Sequence, residues 1–477
     1  MNRSKRLYLL GGLLVAVSLA TFGVFRLQEH QEQIKTSGET ILAVPAADVT
    51  SLSWEYEDTA LAFHKSDTWV YDDDAAFPVD DATIEAMLGL FEDFAAAFVI
   101  EDVTDFGQYG LDDPTATIAF ATADQSYEVN LGGFSTLDQE RYVSLGDGNV
   151  YLAMTDPLDT FDATLSDVID NDETPAFDAV SEIEFAGAES YDVVYAADSA
   201  DTYCSADVYF AQLGGANRPL DTDRVESYLG AITALAPTDY VTYKATDADL
   251  AEYGLDDPEL TVTIDYTVTA DDGDEAATFS IAVSRDPEER AAAAAEASAG
   301  PSATPSASAT ASASADVTAY ARIGQSPIVY QITAAQYTAL LAADYDSLRH
   351  QDLFCGDFAA VTEIDIALDG VAYAITSESQ DDTRTYSYEG QTVDLAAFQT
   401  ALAGVSAVTF TADQPTEKEE IGLTLHLDNA QHPEVVIELY RYDGTQCLAV
   451  VDGDPVALVD RSAVVDLIES VNAIVLS

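Results

Sequence analysis

The sequence predicts an α+β chain: tandem repeats of antiparallel sheet plus helices, preceded by one N-terminal transmembrane helix. Three observations carry this. The hexapeptide Tyr-Gly-Leu-Asp-Asp-Pro occurs twice with matching flanks. Segments rich in Val, Ile, Thr and Tyr alternate apolar and polar residues between Gly/Asp turns, the period of half-buried strands. Near the N-terminus, Leu7–Phe25 is an uncharged apolar run.

The apolar run comes first. At 1.5 Å per residue it reaches about 28 Å, close to the ~30 Å hydrocarbon core. Arg3, Lys5 and Arg6 precede it, which keeps the N-terminus cytoplasmic and sends the rest of the chain outward. The expected order is a cytoplasmic tail at 1–6, an anchor at 7–26 and a polar, Glu/Gln-rich helical stalk at 27–45. A cleaved signal peptide with Ser18-Leu19-Ala20 as its small-x-small site is the rival reading. The apolar run continues through Phe22, Val24 and Phe25, which favours the uncleaved anchor.

The repeat comes next. Tyr109, Gly110, Leu111, Asp112, Asp113 and Pro114 return as Tyr253, Gly254, Leu255, Asp256, Asp257 and Pro258. A Pro-x-Asp step opens a helical pattern upstream of each, Pro78-Val-Asp80 before 82–94 and Pro219-Leu-Asp221 before 224–235. Each copy starts on a strand, at Val49–Trp54 and Val180–Phe185. A third copy is degraded: Val361–Ile366 matches the opening strand, Thr392-Val-Asp394 the helix start, and Glu420-Ile421-Gly422-Leu423 the hexapeptide position. Repeats are therefore expected at 46–170, 178–350 and 357–477, with a last helix near 462–471. Each reads as three strands, a helix, the motif turn, three or four strands and a closing helix.

Within the hexapeptide the residue types describe a helix stop. Asp105 or Asp249 is placed to cap a short helix, Gly110 or Gly254 to take the left-handed C′ position, and Leu111 or Leu255 to pack back as in a Schellman turn. Tyr109 or Tyr253 is expected on the core side, and Pro114 or Pro258 blocks continuation. The Asp pairs Asp112/Asp113 and Asp256/Asp257 suit the turn; cation binding is the weaker alternative. Residues 286–316, rich in Ala, Ser, Thr and Pro, read as a disordered insertion at a loop tip. In the first repeat the corresponding join lies near 132–141.

Composition narrows function. The chain has 86 acidic against 18 basic residues among 477, a formal net charge of −68. Such a surface repels nucleic acid, so no nucleic-acid partner is expected. Weak Ca²⁺ association is the sharpest reading of acidic tips such as Asp72-Asp73-Asp74 and Asp271-Asp272-Gly273-Asp274-Glu275, and solvated turns the plainer one. No cofactor, metal-ligand or catalytic motif stands out. Cys204, Cys355 and Cys447 are far apart and odd in number, so no pairing is assigned; one long-range bridge stays open, and buried free thiols are expected. His426 and His432 fall on a hairpin turn with Asp428 and Pro433. With no catalytic constellation, a non-enzyme is expected.

With the span and the two YGLDDP turns in view, the chain resembles the bacterial domain-of-unknown-function 4340 family over nearly all of its exported part. That resemblance implies a membrane-anchored, single-pass extracytoplasmic protein. Members are often encoded beside ABC-transporter subunits of the gliding-motility type. It thus implies an accessory or scaffold role with protein partners in a membrane complex, and no reaction or catalytic residue to carry over. Two rival functions remain: a cell-envelope hydrolase using a carboxylate pair, and a cation-dependent surface or adhesion protein.

Overall fold

The structure is a computed structural model that describes residues 38–270, 273–298, 317–380 and 383–476. The expected tail, anchor and most of the stalk lie outside these residues. Among the described residues no helix is long and apolar enough to cross a membrane. The stalk's last residues are not helical: Glu39–Leu42 is a strand paired with Phe94–Ile100. A backbone lying beside a free sheet edge gains ladder hydrogen bonds that outweigh weak local helix preference.

Among the described residues, three nine-stranded antiparallel sheets with their helices make a mostly β fold. The first sheet runs in space through Trp69–Tyr71, Thr59–Lys65, Val49–Tyr56, Ala116–Thr122, Ser126–Ser135, Glu140–Ser144, Val150–Ala153, Phe94–Ile100 and Glu39–Leu42. The third runs through Gln391–Val393, Thr383–Tyr388, Val371–Gln380, Val361–Leu368, Glu419–Leu427, Glu434–Arg441, Gln446–Val451, Asp454–Asp460 and Ala407–Phe410, an order the second sheet shares; the first has no counterpart of Gln391–Val393 and adds Glu39–Leu42 at its far edge. In the second, Ala179–Gly187 pairs with Leu260–Ala270 just as Val49–Tyr56 pairs with Ala116–Thr122. By its contacts the chain divides into two compact units, one of residues up to Asp172 with Thr238–Lys244, the other of Glu173–Pro237 with Ala245 onward.

The three opening strands share one device. Each carries a register shift one step in, between Val49 and Ser51, Val180 and Glu182, and Val361 and Glu363. The extra residue is a hydroxyl amino acid every time. Thr50, Ser181 and Thr362 donate through the side chain to the carbonyls of Ala121, Asp265 and His426, at 3.2, 3.0 and 3.1 Å. The bulge thus keeps its pairing, and the Val before it and the Ile or Leu after it return to the same buried face.

That face is covered by two helices per sheet. The Pro-x-Asp reading holds at its starts: Asp80 accepts from the Ala82 N–H, Asp221 from Asp223 and Asp394 from Ala396. The helices are Asp81–Leu88, Thr222–Thr233 and Ala396–Ala403. The first is shorter than the apolar pattern implied, because Phe94 already lies in a strand. That strand and its counterparts Tyr240–Thr242 and Ala407–Phe410, each between helix and motif position, escaped the sequence reading; they are short or uniformly apolar and show no alternation. In the second sheet Val225, Tyr228, Leu229 and Ile232 meet Tyr337 and Leu340 of the closing helix Ala334–Leu341 in one core. Buried hydroxyls stay satisfied: Tyr228 donates to the Leu340 carbonyl and Tyr191 to that of Ala343. The third core is built alike from Phe398 and Leu402 with Val464, Leu467 and Val471 of Arg461–Val475. In the first, Trp54 stacks on Phe63, meets the edge of Phe161 and donates its indole N–H to the Ala163 carbonyl.

Both hexapeptides are Schellman stops. Gly110 and Gly254 adopt φ of 72° and 70°. The N–H of Gly110 bonds to Gly107 and that of Leu111 to Phe106; Gly254 bonds to Ala251 and Leu255 to Leu250. The expected caps differ. Asp249 is not the N-cap of Asp247–Glu252 but the third residue of a capping box led by Thr246, and the turn at Gly107–Tyr109 starts on Phe106, without a side-chain cap. Thr246, immediately before Asp247-Ala-Asp249, completes the reciprocal box, which satisfies two N–H groups where a lone Asp satisfies one.

The third copy has no such turn. Ile421, Gly422 and Leu423 lie inside the strand Glu419–Leu427, with Gly422 opposite Ala367 and Glu438. Apolar residues at 421, 423 and 425 all face the core, so strand burial overrides the local likeness. The 286–316 insertion does sit between paired strands, Gly273–Arg285 and Ala319–Ile323, but Pro287–Ser298 is helical. Asp286 accepts from the N–H groups of Glu288 and Glu289, and the following Ala run has the highest helix propensity.

Replacing either hexapeptide glycine by alanine should destabilise the fold. The left-handed backbone costs about 1–2 kcal/mol, and at Gly110 a Cβ would also sit 2.9 Å from the Gly133 nitrogen. Urea denaturation is expected to show Gly110→Ala losing more than Gly254→Ala, while Gly89→Ala, right-handed and in open space, changes stability little or raises it.

Candidate functional site

The hexapeptide residues do not converge on a site. Tyr109 and Tyr253 are half-buried and lean on strand tyrosines, Tyr142 and Tyr320, with ring centroids 5.0 and 4.7 Å apart. They lie at the sheet rim, not in the core as expected, because the phenol can stack while its hydroxyl stays wet. Leu111 and Leu255 are buried, whereas Asp112, Asp113, Asp256 and Asp257 are exposed and Pro114 and Pro258 half-buried. The turn seats on equivalent backbone in both sheets, Gly132–Gly133 in one and Ser284–Arg285 in the other. Its role is architectural.

The chemistry gathers elsewhere, around a disulfide. Cys204 and Cys355 are bridged, 151 residues apart in sequence, with Cα atoms 5.6 Å apart. Of the three cysteines, only Cys447 is the buried free thiol that was expected. The pairing was illegible because it depends on a tight loop. There Cys204 N–H donates to Thr202 Oγ1 at 3.0 Å, Thr202 Oγ1 donates to Asp207 Oδ2 at 2.7 Å, and Asp207 N–H returns to the Cys204 carbonyl.

Around the bridge the side chains interlock. Tyr203 stacks on Phe354 at 5.7 Å. Burial, with Asp452 nearby, pushes the Tyr203 phenol well above its ordinary value. Gly356 leaves the room Tyr203 needs: a Cβ there would lie 3.1 Å from its ring. Asp207, 3% exposed, meets His350 Nε2 at 2.7 Å, and His350 Nδ1 faces Asp221 at 3.7 Å. Burial works against the His350 charge, but the hydrogen bond and charge of Asp207, with Asp221 and Asp352, outweigh it and raise the imidazole.

A cavity of about 310 Å³ opens beside this junction, lined among others by Tyr203, His350, Cys355, Arg349, Phe410 and His432. Arg349 lies 3.5 Å over the Phe410 ring and pairs with Asp346 at 3.0 Å. His432 does sit in the hairpin turn foreseen for it, yet it also reaches the Ala200 carbonyl at 3.0 Å and joins the cavity wall. His426 instead faces Asp365 on the neighbouring strand. Among the described residues, Cys204, Asp207, His350 and Cys355 form a group with metal-ligating atoms all within 4.8 Å of one another.

Two further clusters are structural. Asp74, from the acidic tip, is held by Lys244 and by Tyr243 at 2.9 Å. The Lys244 hydrogen bond leads in lowering its carboxyl to about 2, so this acid already has a cationic partner. Glu420 lies between Arg441 at 2.7 Å and Arg461 at 3.1 Å. Burial pulls that carboxyl up, but the two guanidinium groups prevail and hold it below its usual value. Burial, aided by the Glu420 charge, pushes the Cys447 thiol up to about 11.

A model described as Domain of unknown function (DUF4340) matches residues 69–202 and 214–425. The chain belongs to this family. The match to DUF4340 starts at the strand Trp69–Tyr71 and ends within Glu419–Leu427, so it touches all three sheets. No curated protein and no solved structure matches.

Two outcomes are expected. The Cys204→Ser/Cys355→Ser double variant should lose about 2–5 kcal/mol in denaturation, since the bridge closes a long loop, and adding reductant to that variant should change nothing more. Glu420→Gln should cost about 1–2 kcal/mol near neutral pH, discounted for the half-exposed Arg441. Because the folded Glu420 titrates below its ordinary 4.5, its contribution is present above that value and lost as pH falls through the lower folded one. Melting curves of wild type and variant should therefore converge in acid.

Proposed function

We propose that this chain is a membrane-anchored, extracytoplasmic scaffold or accessory protein, with its partners in a membrane complex of the ABC-transporter type. The observation that carries the reading is the Cys204–Cys355 bridge. Structural disulfides persist in oxidising compartments and are rare in the cytosol. The bridge therefore supports the orientation drawn from the basic residues ahead of Leu7–Phe25. The net charge of −68 fits an exported surface kept clear of nucleic acid and of anionic lipid headgroups.

A binding role suits the architecture. Three sheets built on one pattern bury one face each under helices, and the alternate residues of their opening strands are left as surface for partners. A carboxylate-based envelope hydrolase is the second reading, favoured by Asp201, Asp352 and Asp452 at the rim of the cavity. Its mark would be loss of a cell-wall-degrading activity in an Asp201→Asn/Asp352→Asn/Asp452→Asn variant that still folds.

Two measurements test the scaffold reading. Protease added to intact spheroplasts should digest the domain from outside, and crosslinking in whole cells should join it to polytopic transporter subunits. A domain protected until the cells are lysed, or recovery only as an uncrosslinked monomer under every condition, would overturn it.

A further inference from the structure

We infer that the Cys204–Cys355 junction is a redox-gated zinc site: bridged when oxidised, and a four-ligand Zn²⁺ site when reduced. Cys204, Asp207, His350 and Cys355 each present one ligating atom, all within 4.8 Å of one another. Two thiolates, an imidazole and a carboxylate make a closed tetrahedral set of the structural zinc kind. Thiolates select against Ca²⁺ and Mg²⁺, which distinguishes this group from the many surface acids.

The surroundings are built for coordination. Asp207 is 3% exposed, and Thr202 Oγ1 holds its other oxygen at 2.7 Å. His350 Nε2 already faces Asp207 Oδ1 at 2.7 Å, and a metal ion would take the place of the proton they share. His350 Nδ1 faces Asp221 at 3.7 Å, the position of the outer carboxylate that orients a metal-bound histidine. Asp221 is itself fixed as the N-cap of Thr222–Thr233, and its N–H bonds to the Leu348 carbonyl two residues before His350. His350 and Cys355 both line the 310 Å³ cavity, which gives an ion a path in.

A dithiol reductant attacks the Cys204–Cys355 bond and gives two electrons and two protons. The bond breaks into two thiols, and the reductant leaves as its own disulfide. Zn²⁺ then displaces both thiol protons, and the imidazolium proton of His350 when that is present. Either state ties the Thr202–Asp207 loop to the segment before Val361, covalently or through the metal. The cross-link thus survives a change of redox environment.

The test uses the full chain in detergent, with excess Mg²⁺ to occupy surface acids. After reduction, zinc measured on the desalted protein should rise by one equivalent per chain, with no rise in the oxidised protein. Co²⁺ added to the reduced protein should give thiolate-to-cobalt charge-transfer absorption and the intense visible bands of tetrahedral cobalt. An Asp207→Asn/His350→Ala variant, whose fold is checked by its regain of the disulfide on oxidation, should lose both signals. No more zinc in reduced than in oxidised protein, or cobalt absorption without thiolate character, overturns the proposal. Because the cobalt spectrum is read on wild type, it decides the matter even where the variant fails to refold.

Discussion

The opening strand at the centre of each sheet is amphipathic: alternate residues are buried and must be covered, and those between them are more exposed. Side chains alternate every residue, so a slip of one position in any strand would turn the covered face outward. The fold depends on holding register at the centre of each sheet, where the opening strand meets the strand after the motif position. The bulge at Val49, Val180 and Val361 does this. An extra residue would leave a carbonyl unpaired, and the hydroxyl of Thr50, Ser181 or Thr362 supplies the bond. Each such bond contributes only about 0.5–1.5 kcal/mol. Its weight lies in making the alternative register lose both that bond and the apolar face.

The covering helices follow from the same demand. The first helix over each sheet begins where an Asp side chain accepts from its first turn, and Thr222–Thr233 is buried along one stripe, as Val225, Leu229 and Ile232 show. Tyr228 and Tyr191 place large rings in the core because a carbonyl from the opposite helix or its C-terminal end meets each hydroxyl. The Schellman turns act at the rim. They stop a short helix, return a leucine to the core and seat the chain on the backbone of the neighbouring hairpin.

Charge is distributed in another way. Most acids are solvated, but three of the paired ones join segments distant in sequence: Asp74 with Lys244, Glu420 with two arginines, Asp207 with His350. In a chain so short of cations, each of these pairings uses a scarce resource, and the clustering of three ligand types beside the disulfide stands apart from the acidic background. The junction is also where Tyr203, Phe354 and Gly356 pack together, so covalent, aromatic and polar contacts reinforce one attachment.

Much of the fold was legible in the residues themselves. Period-two patterning marked the long strands, Pro-x-Asp marked the helix starts, and Gly110 and Gly254 marked the stops, because each depends on chain geometry within a few residues. What failed was short or context-dependent. Ile421-Gly422-Leu423 looks like a turn and is a strand, since burial on both neighbours outweighs local likeness. Phe94–Ile100 shows no alternation, and its first residue continues the apolar pattern of the preceding helix. The junction was invisible: Cys204 and Cys355 are separated by 151 residues, and neither Asp207 nor His350 carries a motif. Local backbone preference and the alternation of apolar residues are written in the sequence and determined the repeats. Which distant side chains share one buried spot is set by the packing of sheets and loops, and only the tertiary structure decided it.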